Sequence, residues 1–120
     1  MNVMQGEIGG VPLIVIEGDL DQASKQVVRE AVFDALRGPF ATGSILLELT
    51  DCTFMDSGGI SVLLSALAHL EDEGWLGLIG ATAATAQTLR YAGLDDHDRV
   101  RVFSSTSDAA ATLAREKKLG

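Results

Sequence analysis

The chain has 120 residues, 47% of them apolar, which is enough for one domain with one core and too short for two. Nine Lys and Arg against seventeen Asp and Glu give a formal net charge of -8, which disfavours nucleic acid and anionic membrane as partners. That charge serves either to keep a compact domain in solution or to meet a basic protein partner. The single cysteine, Cys52, excludes an intramolecular disulfide and a cysteine-based metal site. With no basic-then-apolar leader and no apolar run near the roughly 18 residues of a bilayer span, a cytoplasmic location is expected.

Turn signals recur at short intervals with no linker or repeat between them, so the elements are expected to share one core. Gly9-Gly10 separates an extended segment ending at Ile8 from the run Leu13 to Ile16, and a Gly pair suits the positive φ angles of a tight hairpin. Gly18-Asp19-Leu20-Asp21 then leads into a helix with Asp21 as its expected N-cap. Val27, Val28, Ala31, Ala35 and Leu36 mark its inner face, and Gly38-Pro39 ends it. Ile45 to Leu49 is apolar except for Glu48, as in a strand covered on both faces. From Ser57 to Asp72 the positions Ile60, Leu63, Leu64, Leu67 and Leu70 follow three-and-four spacing and predict the strongest helix, closed by Gly74. Trp75 to Ile79 reads as a strand, Thr82 to Ala92 as a helix stopped by Gly93, and Val100 to Phe103 as a last strand. A final helix starts near Ser105, where Ser105 and Asp108 have capping-box-like spacing. The order ββαβαβαβα implies an α/β domain, residues 1–120, with parallel strands joined by right-handed crossovers.

The segment Phe54-Met55-Asp56-Ser57-Gly58-Gly59-Ile60 lies between a core strand and the strongest helix. Asp56 or Ser57 is placed to cap that helix, and negative charge added there meets its free N–H groups and positive dipole end. The two glycines let the backbone turn tightly into the helix.

The run LLELTDCTFMDSGGISVLL, from Leu46 to Leu64, resembles the signature of STAS-domain anti-sigma factor antagonists. Gly18-Asp19-Leu20-Asp21 matches the Gly-acidic-Leu-Asp motif of the same family, and the element order agrees, so the resemblance spans nearly the whole chain. It implies a mixed sheet of about five strands with four helices. It also implies that Ser57 is the residue phosphorylated by a partner anti-sigma factor with serine kinase activity. The unphosphorylated protein would bind that partner and free a sigma factor, and a serine phosphatase would reset it. Asp19, Asp21, Asp56, Ser57, Gly58, Gly59 and Ile60 would form the partner-binding surface, with Asp19 and Asp21 near the start of the Ser57 helix. The family often carries a second Ser or Thr where this chain has Gly58, so one alternative acceptor is lost.

No catalytic constellation accompanies Ser57, and neither enzyme activity nor a cofactor is expected. His69 is twelve residues further along the same helix, roughly 18 Å away, too far to serve as its base. His97 sits among Asp95, Asp96 and Asp98 without the ligand spacing of a known metal class. A serine-hydrolase elbow, a dinucleotide fingerprint and a phosphate-binding loop are all missing. A receiver domain with Asp56 as phosphoacceptor would need a lysine after its last strand, where this chain has Ser104 and Ser105. Cys52 reads as a buried small residue or, if exposed, as a redox sensor. The competing function is a constitutive STAS scaffold or transporter-associated subunit, with Ser57 acting only as a cap.

Overall fold

The computed structural model describes residues 1–39 and 41–119. Five strands, β1 (Asn2–Ile8), β2 (Val11–Glu17), β3 (Ile45–Glu48), β4 (Leu76–Ile79) and β5 (Val100–Phe103), form one sheet in the order β1-β2-β3-β4-β5. Four helices, α1 (Lys25–Arg37), α2 (Ser57–Ala68), α3 (Ala83–Tyr91) and α4 (Thr106–Leu119), complete the expected ββαβαβαβα order. Among the described residues, no helix is long and apolar enough to cross a membrane.

Gly9 and Gly10 both take positive φ, +58° and +85°, the primed-turn geometry that follows the twist of a hairpin. β1 and β2 accordingly pair antiparallel, from Asn2 opposite Glu17 to Ile8 opposite Val11. From β2 onward each strand lies parallel to the next one in the chain. When strands follow chain order, right-handed crossovers all fall on one face of the sheet. Val28, Val32 and Leu36 of α1, Val62, Leu63 and Ala66 of α2, and Leu89 of α3 indeed share one buried cluster with Ile14, Ile16, Ile45, Leu47, Leu76 and Leu78. The opposite face is left to α4, whose Ala109 and Leu113 pack on Leu13, Leu46, Ile79 and Phe103. Both faces of β3 are therefore covered, which is why it reads as an apolar run rather than as an alternating strand.

Several helix details differ from the sequence expectations. α1 begins at Lys25, and Asp21 is not its N-cap: the Asp21 Oδ1 accepts the N–H groups of Ala23 and Ser24, each at 3.0 Å, and so closes a turn ahead of the helix. Ser24 holds the cap position, but its hydroxyl donates to the Asp19 carbonyl at 2.7 Å and caps nothing. Val27 and Leu64, expected on the inner faces, are 53% and 51% exposed. α1 buries the row Val28, Val32 and Leu36, four residues apart, and Val27 lies about 100° round from it. α2 ends at Ala68 rather than Asp72, because the N–H of His69 turns back to the Ala66 carbonyl and that of Glu71 leaves to bond Gly43. At α4 the Ser105 Oγ accepts the N–H of Asp108 at 3.0 Å, while the Asp108 carboxylate reaches the N–H of Ser104 rather than that of Ser105.

Candidate functional site

In open α/β sheets, functional crevices lie beyond the carboxyl ends of the strands. Here the segments leaving β2 and β3 are joined to each other by backbone hydrogen bonds. Gly18 N–H donates to the Asp51 carbonyl at 3.0 Å, Leu20 N–H to that of Phe54 at 2.9 Å, and Asp56 N–H to that of Leu20 at 3.3 Å. Leu20 and Met55 form a parallel bridge, so the two segments continue the β2–β3 pairing as a narrow extension. Both of those side chains are buried, Leu20 at 0% and Met55 at 3% exposure, which anchors the extension to the core. The Thr53 hydroxyl donates to Asp19 Oδ1 at 2.9 Å and fixes the outer rim. The two motifs, separate in sequence, are thus one surface.

At the start of α2 the cap is Asp56. Its Oδ1 accepts the N–H groups of Gly58 at 2.7 Å and Gly59 at 3.3 Å, which satisfies two donors that the helix itself cannot pair. Ser57 is the first helical residue and is exposed, and its hydroxyl takes no part in the cap. That hydroxyl instead accepts a long bond, 3.4 Å, from Gln22 Nε2 on the facing segment. Gly58 and Gly59 are buried and do not adopt left-handed backbone; what they provide is close approach. A Cβ at Gly58 would lie 2.7 Å from the backbone nitrogen of Gln22, and one at Gly59 2.7 Å from the Leu20 carbonyl and 2.5 Å from Met55 Cγ. The absence of a second hydroxyl residue at position 58 therefore goes with a β2 segment seated directly against the helix. Ile60 is partly buried and packs on the core behind the site.

Charge at this pole is one-sided. Asp19 is exposed, Asp21 and Asp56 are half-buried, and none of the three forms an ion pair with Lys, Arg or His among the described residues. Cys52 is fully buried beneath the rim, and burial pushes its thiol above the ordinary value. A buried, protonated thiol is a poor nucleophile and a poor redox sensor. His69 caps the far end of α2, with Nδ1 2.8 Å from the Ser65 carbonyl and its ring against Phe33. His97 Nδ1 accepts the N–H of Arg99 at 3.0 Å, which keeps that nitrogen for the local turn.

The family model described as "Mlab, STAS domain" matches residues 4–114. The chain belongs to the STAS domain family. Among curated proteins, none matches it significantly. A crystal structure of an anti-sigma factor antagonist from Mycobacterium paratuberculosis has this STAS fold at 18% identity and a TM-score of 0.81, covering 94% of this chain and 93% of that one. The anti-sigma factor antagonist SpoIIAA in its unphosphorylated form is 18% identical with a TM-score of 0.70, covering 95% and 98%. The phosphorylated form of SpoIIAA, from Bacillus, is 19% identical with a TM-score of 0.63, covering 84% and 90%. The murine anion transporter Slc26a9 contains a similar region, at 22% identity and a TM-score of 0.73, with 92% of this chain matched to 18% of the transporter.

The sequence reading named Asp19, Asp21, Asp56, Ser57, Gly58, Gly59 and Ile60, and the STAS fold brings all of them to one pole with Ile60 on its inner side. It missed Gln22, which touches Ser57, and Thr53, which holds Asp19; Phe54, the first residue of the segment it singled out, is 50% exposed on the rim. The only sequence signal for Gln22 and Thr53 is adjacency, since Gln22 follows the first motif and Thr53 immediately precedes the Phe54–Ile60 segment.

Proposed function

We infer that this STAS domain is an anti-sigma factor antagonist: unphosphorylated, it binds an anti-sigma factor with serine kinase activity and releases a sigma factor, and phosphate on Ser57 ends that binding. The observation that carries this reading is the idle hydroxyl. Asp56 already caps α2, so Ser57 is exposed and held only by the 3.4 Å bond from Gln22. The helix does not need that hydroxyl, and a kinase can reach it.

In the transfer, Ser57 Oγ attacks the γ-phosphorus of ATP, the bond to the β-phosphate oxygen breaks, ADP leaves, and the hydroxyl proton passes to a base of the kinase. This chain supplies the acceptor and a rigid surface, and no catalytic group. Phosphate adds about -1.5 to -2 charges beside Asp19, Asp21 and Asp56, which form no ion pair among the described residues. The dipole end of α2 tolerates the new charge, so the fold survives while the docked surface does not. A serine phosphatase restores the binding form. The unphosphorylated acidic rim, with exposed Phe54 beside it, suits a partner surface that is basic around an apolar centre. Such a pathway is cytoplasmic.

A second reading, a constitutive STAS module on a transporter or scaffold, draws support from the likeness to the Slc26a9 region. One experiment separates the two. The protein is mixed with an anti-sigma factor kinase, with and without ATP, and followed by pull-down and intact mass. Capture without ATP, and release with a single phosphate on Ser57 when ATP is present, supports the switch. Capture that ignores ATP, or phosphate on another residue, supports the constitutive module.

A further inference from the structure

The geometry points to a second interaction surface besides the Ser57 pole: the free edge of β1, which pairs antiparallel with β1 of a second copy of this chain. β1 bonds to β2 alone and is the longer of the sheet's two edges, seven residues against four in β5. Proteins usually guard such an edge with Lys, Pro or a bulge. β1 has neither Lys, Arg nor Pro, and its one charge, Glu7, is turned aside to accept the N–H of Gly10 at 2.6 Å.

The residues flanking a two-residue primed turn form a hydrogen-bonded pair, here Ile8 and Val11. Alternation then sends the N–H and C=O groups of Val3, Gln5 and Glu7 outward, free for another strand. With Gln5 facing Gln5 across a two-fold axis, all seven residues pair and about six inter-chain backbone hydrogen bonds form. In that register Met4 stands opposite the partner's Gly6 on the same face of the sheet. Met4 is a large apolar side chain left 44% exposed on this edge. Gly6 has no internal reason to be glycine: its φ is not positive, and a Cβ would meet Leu13 Cδ2 at an ordinary 3.7 Å. A strand glycine of this kind marks a place where something else comes close. The long side chain thus lies over the missing one, twice in the dimer. Val3 stands opposite the partner's Glu7, so no two like charges meet directly even though each chain carries a net -8. Among the described residues, a groove of about 470 Å³ lined by Gln5, Glu7, Pro12, Ile14, Asp34 and Ala35 opens beside this edge.

Sedimentation velocity on the full chain tests the surface, with thermal melting as a control for folding. The wild type is expected to show a concentration-dependent monomer–dimer equilibrium. Gly6→Val, whose Cβ meets only an ordinary contact in the monomer and whose β-branch raises strand propensity, should leave the melting temperature unchanged or higher yet weaken the dimer at least about tenfold. Met4→Lys, at an exposed site, should do the same and carries the test if Gly6→Val misfolds. The exchange Met4→Gly with Gly6→Met should restore the dimer. A wild type that stays monomeric into the millimolar range overturns the proposal. So does a dimer indifferent to both single substitutions, or an exchange variant that stays monomeric.

Discussion

The starts of α2 and α4 use the same kinds of residue in different ways. At α4, Ser105 and Asp108 satisfy each other's neighbourhood, the serine oxygen taking the N–H of Asp108 and the carboxylate taking that of Ser104. At α2 the acid comes first, and Asp56 takes the open N–H groups of Gly58 and Gly59, so the serine hydroxyl beside it is left without structural work. α3 follows the α4 pattern, with Thr82 Oγ1 accepting from Thr85. A hydroxyl at a helix start normally belongs to the helix. Where a carboxylate displaces it, the hydroxyl is free for another molecule, and the proposed role of Ser57 rests on that difference.

The largest effect should come from the packing that holds the α2 start in place. Gly59→Val puts carbon against the Leu20 carbonyl and Met55 at distances well inside contact, and should cost about 3 kcal/mol, the upper end of overpacking penalties. Urea unfolding measures this, and partner capture should fall with it, since the two segments can no longer close. Next in size is the charge effect. Phosphate on Ser57 should weaken capture by the kinase partner about a hundredfold, or about 2.7 kcal/mol, with the melting temperature nearly unchanged. Ser57→Glu should move in the same direction by less, because it brings a single charge. Calorimetry without ATP reads both, and a phosphorylated protein that binds as well as the unmodified one would remove the distinction between the two helix starts.

Smaller, and aimed at the contrast itself, are the cap deletions. Asp56→Ala and Ser105→Ala should each cost about 1 kcal/mol, as lost caps do. Ser57→Ala should change stability by less than about 0.5 kcal/mol while abolishing phosphate uptake. If Ser57→Ala costs as much as Ser105→Ala, then Ser57 is structural and the comparison fails.

How far these features are legible in the sequence depends on how local their causes are. The hairpin was readable because two adjacent glycines at positive φ have few other uses, and the fold order followed from alternating patterns and turns. Val27 and Leu64 were misplaced because both helices carry apolar residues on more than one row, and periodicity finds a face without choosing between adjacent rows. Asp21 was read as a helix cap because an Asx turn and an N-cap use the same atoms, and only the backbone beyond it tells them apart. The site itself was visible as two motifs. What held them together was not, because the Gln22 bond to Ser57 and the tight seat of Gly58 against Gln22 are contacts across 35 and 36 positions with no periodic signature.

The smallest effect belongs to the far end of α4 and tests whether that helix is purely structural. Arg101 lies over the Trp75 ring, 4.7 Å from its centroid, and pairs with Glu116. The hydrogen bond from Arg101 is the main reason the Glu116 carboxyl sits below its ordinary value of 4.5. A carboxylate whose value is lowered by folding contributes stability that is complete above its unfolded value. That stability fades as pH falls through the lowered folded one, because over that interval the unfolded chain binds the proton and the folded chain does not. Glu116 is about half exposed, so solvent screening should hold the contribution well under 1 kcal/mol. Glu116→Gln should therefore melt slightly below the wild type at neutral pH, and the difference should close as the solution is acidified past the lowered value. Added salt should shrink it as well. Phosphate transfer to Ser57 and partner capture should not change, because this pair stands on the sheet face away from α2 and at the opposite end of the strands. A shift in either would mean that the two helix starts, so different in their capping, are coupled through the sheet.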